Sequence, residues 1–397
     1  MSETKLYRDR NLLILFGVNL IAIQAMMAVA PAFPQIVRQL GVSELEVGLL
    51  ITSFSMPGLV LSPFLGVLAD RYGRKRILVP SIFIFAIMGT ACVFARDFNT
   101  LLLLRAAQGI GGAALGSINT TIIADLYTGR RRAQAIGLNA SVMFISMPLW
   151  TTLGGALALL AWYYPFALSI LALPIGILAL THLRNPEPEK SGSMKEYLRG
   201  TWGYLRDIRV VGLFAAGVLS NVIVFGGYFT YFNLYMGQAF DASPFRIGNF
   251  MAITCIALFV VSSQLGRINR WLSLGSIIKL SFVVTALSLA LIPLMPSMWF
   301  LLIPGIINGM ALGANLPSLQ TAIAGMAPFK HRGAFMSINS TILRAGQAIG
   351  PPLVGMFYVY GGFDGAFYAT AGLALIAPVI AILVGRKIKP KEVLHME

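Results

Sequence analysis

Twelve long apolar stretches decide what this chain can fold into. They lie at roughly 11–38, 44–69, 77–95, 99–127, 133–160, 162–182, 209–236, 246–266, 272–294, 298–326, 333–360 and 364–385. Each reaches the length of about 20 residues that an α-helix needs to cross hydrocarbon. In lipid only helices and closed barrels satisfy every backbone group, and these stretches lack the polar–apolar alternation of barrel strands. With 57% hydrophobic and 11% charged residues, the chain also holds more apolar side chain than a soluble core could hide. The expected fold is therefore an all-α membrane protein with twelve transmembrane helices. The first stretch runs from Asn11 past signal-peptide length with no small-residue cleavage site, so it is expected to be retained.

The formal charge of +15 does not point to nucleic acid, because the basic residues sit between apolar stretches rather than on a soluble domain. Their distribution reports orientation instead. The segments on the side of the N-terminus hold 24 Lys and Arg, and the opposite loops hold three, Arg38, Arg96 and Arg246. Under the positive-inside rule both termini are cytoplasmic, in a multi-pass protein of the cytoplasmic membrane. Cys92 and Cys255 fall inside apolar stretches and form neither a disulfide framework nor a metal site. No cofactor is implied.

The longest loop divides the stretches six and six, giving expected units at 1–183 and 209–397 around a linker at 184–208. That linker opens with Asn185-Pro186-Glu187-Pro188-Glu189, and Met194, Leu198, Trp202 and Leu205 then recur at helical spacing between Lys195, Arg199 and Arg206. An amphipathic helix on the membrane surface is expected there, with a plain tether as the alternative. An internal repeat supports the division. At a constant offset of 200, Ser43 and Ser243, Gly48 and Gly248, Gly109 and Gly309, Arg132 and Arg332, Asn139 and Asn339, and Gly155 and Gly355 are identical. Paired Gly, Asn and Arg at one offset indicate two related, pseudo-symmetric six-helix bundles.

The most specific local signal is Gly66-Val67-Leu68-Ala69-Asp70-Arg71-Tyr72-Gly73-Arg74-Lys75-Arg76, between the second and third stretches. Asp70 would end its helix where the macrodipole disfavours an anion, so it needs donors from outside; Gly66 would permit close helix approach and Gly73 a tight turn. A second signal is Leu104-Arg105-Ala106-Ala107-Gln108-Gly109 in the fourth stretch. Both resemble signatures of the major facilitator superfamily, and together they resemble its twelve-helix drug:proton antiporter branch. The resemblance implies a monomeric transporter of small molecules, with two bundles rocking about a central cavity. It implies a latch formed by Gly66, Asp70, Arg71, Gly73, Arg74 and, at the inner end of the fourth stretch, Asp125. The equivalent loop of the second half has Gly266 where the aspartate would be, so that latch is expected on one side only. In the fifth stretch Trp150 and Thr151 stand where that branch usually carries Gly-Pro, and Gly350-Pro351 appears in the eleventh instead.

The resemblance places the first, fourth, fifth, seventh, tenth and eleventh stretches around the cavity. Candidate lining residues there are Asn19, Gln24, Met26, Arg105, Gln108, Asn119, Asn139, Phe144, Asn221, Phe225, Tyr228, Tyr231, Asn308, Asn315 and Arg344. Apolar walls with a few amides suit amphipathic ligands, and interhelical contact is the alternative for each residue. An arginine inside a span costs about 2.5–3.5 kcal/mol on insertion scales, which directs Arg344, near a midplane, towards the cavity or an internal partner. Arg105 has a third option, snorkelling to the surface. No acidic residue falls near a midplane, which leaves proton coupling open and favours neutral or anionic over cationic solutes. Export is the favoured direction, with a sugar, organic-anion or lipid transporter of the same fold as the alternative. An enzyme is disfavoured, since His182, His331 and His395 are scattered and no His-Glu-x-x-His motif or Gly-x-x-x-x-Gly-Lys-Ser/Thr phosphate loop occurs.

Overall fold

A computed structural model describes residues 6–184, 207–326 and 332–386, with backbone alone for 332–337 and 380–386. The amphipathic helix expected in the linker lies outside the described residues. Ten membrane-length helices follow in order: α1 (Arg10–Leu40), α2 (Glu44–Tyr72), α3 (Arg74–Phe94), α4 (Phe98–Leu126), α5 (Gly129–Ala158), α6 (Tyr164–His182), α7 (Ile208–Ala239), α8 (Pro244–Ile268), α9 (Leu274–Leu294) and α10 (Met298–Met326). The next helical stretch, Arg332–Arg386, is 55 residues long and breaks at Gly361 and Gly362. Gly362 has φ 60°, a left-handed conformation that a side chain would disfavour, and it reverses the chain there. This stretch therefore crosses twice, as α11 (332–360) and α12 (363–386), and the twelve expected spans are all present.

Short polar side chains cap several of the helices. Ser43 and Glu46 form a reciprocal capping box on α2, with the Ser43 amide donating to Glu46 at 2.7 Å. The residue at the repeat offset, Ser243, caps α8 by accepting from the Arg246 amide. Asp97 caps α4 by accepting from the Thr100 amide at 2.8 Å, and the Thr100 bonds hold its carboxyl below the ordinary carboxylate range. Proline falls inside several of the long helices. In α1 a 3₁₀ turn at Ala30–Ala32 carries Pro31, just before Pro34.

A less expected irregularity lies in α7, where ten residues, Ile223–Phe232, form a π-helix. Thr230 donates its hydroxyl to the Phe225 carbonyl at 2.7 Å, and a Cβ on Gly226 would meet the Gly350 carbonyl of α11 at 2.5 Å. Sequence periodicity carried no sign of this segment, because π turns have no compositional signature beyond the glycine pair.

The apolar core shows how the halves meet. One cluster joins them through residues remote from the termini: Met27–Ile51 and Trp150–Phe166 pack with Phe225–Ala242 and Ile247–Met251. A second cluster, from Leu12 to Leu183, belongs to α1–α6 alone, and a third, around Val210, Phe214 and Ile323, belongs to α7–α12. The halves thus share a core at the far end and keep separate cores at the end bearing the termini.

Candidate functional site

Hydrogen bonds across the halves follow the same division. At the far end Arg38 of α1 donates to the Gly237 carbonyl at 2.7 Å and pairs with Asp241 at 3.0 Å. Gln238 donates to the Glu44 carboxylate, and the Tyr231 hydroxyl donates to the Glu44 carbonyl at 3.4 Å. Further in, Thr152 donates to Asn249 at 3.2 Å, and Thr52 donates to the Ala348 carbonyl at 2.8 Å. Beneath them α5 and α8 touch through main chain: a Cβ on Gly155 would meet the Pro244 carbonyl at 2.5 Å and the Gly248 Cα at 3.2 Å. This seal was not foreseen from sequence. Arg38 and Asp241 read as ordinary loop charges 203 residues apart, and only the Gly155 and Gly248 members of the repeat hinted at close approach.

The deepest link lies at mid-membrane. Arg344 of α11 donates to the Gly112 carbonyl at 3.2 Å and the Ala113 carbonyl at 3.4 Å. Gly112 and Gly58 are each the middle residue of a 29-residue helix, and a Cβ on Gly58 would collide with the Arg344 guanidinium. No carboxylate pairs with Arg344 among the described residues. Towards the termini, no further hydrogen bond joins the halves among those residues.

Arg105 is placed differently. It is 1% exposed and lies wholly inside the first half. Its guanidinium sits 4.5 Å from the Phe54 ring centroid and 5.9 Å from that of Phe166, and it donates to Gln108 at 2.6 Å and to the Leu50 carbonyl at 3.4 Å. From Gln108 a buried chain continues through Ser169 at 3.1 Å to Gln24 at 3.3 Å, tying α4, α6 and α1. In this conformation Arg105 neither snorkels nor faces an opening.

Most candidate amides also bond within their own half. Asn19 donates to the Asn139 carbonyl at 2.8 Å, and Asn119 donates to the Asn139 side chain at 3.4 Å. Asn315 bridges Ser220 and Ser281 at 2.8 Å each, and Tyr228 meets Thr254 at 2.6 Å while stacking on Phe232. Phe144 and Met26 pack against the shared core. Asn221 accepts from Gln347 at 3.5 Å, and its neighbour along the π segment, Phe225, tilts against Phe229. Asn308 is fully buried with both amide atoms unpartnered.

At the end bearing the termini, Arg74 of α3 pairs with Asp70 of α2 at 3.4 Å and with Asp125 of α4, and donates to the Thr121 carbonyl at 2.9 Å. Gly73, at φ 100°, makes the turn that brings α3 back. The Arg74 side chain is 12% exposed against 41% and 28% for its partners. All three residues belong to the first half, so the triad ties α2, α3 and α4 together. Arg71 lies exposed over the Tyr72 ring. A Cβ on Gly66 would meet open space, so the close helix approach expected there is absent from this conformation: the halves stand apart at that end. Replacing Arg74 with Gln leaves two carboxylates facing each other and is expected to destabilise the protein by about 1–3 kcal/mol, discounted for solvent access. Asp70→Asn, which keeps the Asp125 pair, should cost less; thermal unfolding of the purified variants orders them, and an R74Q variant as stable as D70N contradicts the triad's role.

Among the described residues no group of His, Cys, Asp and Glu could hold a metal ion. The site is one of seams and carbonyls rather than of nucleophiles.

Comparison with known proteins agrees with this architecture. The family profile described as Major Facilitator Superfamily matches residues 15–295 and 276–395. The quinolone resistance protein NorA of Staphylococcus aureus (strain MRSA252) is 25% identical over 365 residues, covering 89% of this chain and 91% of the relative. The bacillibactin exporter of Bacillus subtilis (strain 168) is 25% identical over 370 residues, covering 87% and 89%. Among solved structures, a bacterial homologue of the human lysosomal transporter Spinster, inward-facing and occupied, superposes with TM-score 0.79 at 18% identity, covering 97% of this chain and 98% of that one. The human organic anion transporter MFSD10 superposes with TM-score 0.71 at 17% identity, covering 94% and 99%. With its profile spanning nearly the whole chain and its helices arranged in the same fold, this multi-pass membrane protein belongs to the Major Facilitator Superfamily of transporters.

Proposed function

We propose that this transporter exports small amphipathic solutes, neutral or anionic, by alternating access between two rocking units, residues 1–183 and 209–397. The observation that carries the proposal is the asymmetric seam, fused at the far end and parted at the end bearing the termini. With both termini cytoplasmic, as the basic residues favour, this conformation is open to the cytoplasm. A solute would enter from that side towards Arg344, past Asn221, and stop against Phe144 and Phe225 at the edge of the shared core. The Asp70–Arg74–Asp125 triad, with Gly66 left open beside it, would latch the opposite state, in which the halves meet at the cytoplasmic end.

The solute class rests on charge. Arg344 is a mid-membrane cation at the seam without an acidic partner among the described residues, which disfavours organic cations and favours anions. The names of the two relatives, a quinolone resistance protein and a bacillibactin exporter, support export of drug-sized compounds. A proton is the proposed coupling ion, as the resemblance to the drug:proton antiporter branch suggests. The protein is proposed to work as a monomer.

Flux of a compound panel into inverted membrane vesicles, with pH and voltage gradients imposed separately, tests this. Uptake of anionic and neutral amphiphiles, accelerated by an inward-acid gradient, is expected. Transport restricted to organic cations, or no flux of any compound, sinks the proposal.

A further inference from the structure

Arg344 is held by partners unsuited to a permanent cation. Its acceptors are main-chain carbonyls in the middle of α4, each already taking a helical bond, and the Ala113 carbonyl also accepts from Ser62 at 3.1 Å. The contacts, at 3.2 and 3.4 Å, are longer than charge-assisted bonds normally are. A guanidinium presents a planar fork that matches the paired oxygens of a carboxylate, sulfonate or phosphate, and such a ligand would bind it far better than two carbonyl dipoles do.

Position adds a consequence. These two bonds are the links between halves nearest the terminal end among the described residues. Any group that captures the guanidinium from that side removes them. Resting on the function proposed above, we infer that Arg344 is the specificity-determining residue for anionic solutes, and that an anion entering at the seam draws its guanidinium off the Gly112 and Ala113 carbonyls and unpins α11 from α4. Recognition and release of the seam are then one event. Gly58 serves this arrangement by leaving room for the side chain between α2 and α4. A neutral amphiphile occupies the same walls without taking the fork, so the pin opens only by thermal fluctuation and the neutral compound is carried more slowly.

The test uses the full chain in nanodiscs of zwitterionic phosphatidylcholine, so that no anionic lipid competes. Two dyes sharing one ring system serve as probes, anilinonaphthalene sulfonate and the uncharged N-phenylnaphthylamine. Wild-type protein should favour the sulfonate by about tenfold, the scale of one charged hydrogen bond. R344Q should bring the two dyes near parity by losing the sulfonate and keeping the neutral dye, while R344K retains part of the preference. A second reading comes from spin labels at Asn99→Cys and Phe300→Cys, exposed far-end positions on α4 and α10, with Cys92 and Cys255 replaced by alanine. The sulfonate, and not the neutral dye, should widen that distance in wild type and leave it unchanged in R344Q.

A folded R344Q that still favours the sulfonate overturns the assignment alone. A wild type whose labels do not respond to bound sulfonate overturns the unpinning, even if R344Q proves too unstable to study. A wild type that carries tetraphenylphosphonium and binds neither dye overturns the solute class as well.

Discussion

Leucine at Gly248 is expected to abolish flux and leave the far end of the bundle unsealed. A Cβ at this position would meet the Thr151 carbonyl and, at 3.3 Å, the Gly155 Cα, all of it main chain that cannot rotate away. The helices themselves must part. Overpacking in an adaptable core costs about 1–3 kcal/mol, and a leucine against backbone costs more, so the sealed state should lose at least ~100-fold in population. Alanine should give a partial loss, with the Gly155→Leu variant matching G248L because the two glycines share one contact. Gly66→Leu, facing open space, is the control for this conformation. Vesicle flux and far-end spin-label distances measure both series; a G248L protein that transports normally with a closed far end removes α5–α8 contact from the mechanism.

The second large effect is expected at Arg105. Its charge is compensated by a carbonyl, a glutamine and two ring faces, so alanine both opens a cavity and leaves Gln108 without its donor. Removing such a buried network cation should lower stability by about 3–5 kcal/mol. Lysine keeps the charge but not the planar fork that serves Gln108 and Leu50 together, so R105K should fall between wild type and R105A. Thermal unfolding tests this, with flux at a permissive temperature as the second measure. Loss of flux in a fully stable R105A would move Arg105 from scaffold to transport.

Sequence reading went furthest where one physical constraint acts alone. Spanning length marked all twelve helices because hydrocarbon tolerates no unsatisfied backbone, and even the α11–α12 reversal follows from Gly361-Gly362 between two apolar runs. A helix-ending carboxylate demands a donor, which made a partner for Asp70 legible, while Asp125 came only from the family resemblance. Which way a side chain faces was much less legible. Membrane helices are apolar on nearly every side, so periodicity does not distinguish lipid from core, and Asn19, Asn119, Asn139 and Asn315 turned out to bond inside their own halves. Sequence offered both Arg105 and Arg344 a place at the cavity, yet one is enclosed by a single half and the other crosses the seam. The far-end seal was invisible for a different reason: its partners come from distant chain positions and become neighbours only once both halves are folded.

That seal has a consequence for the surroundings in which the protein works. Its one ion pair among the described residues, Arg38 with Asp241, joins side chains 55% and 87% exposed, and a pair so open to water contributes about 0–1 kcal/mol, most of which dissolved electrolyte screens away. The strength lies in dry contact between glycine-faced helices, which mobile ions do not reach. Moving from a dilute to a briny medium should therefore leave the far end closed almost as firmly as before.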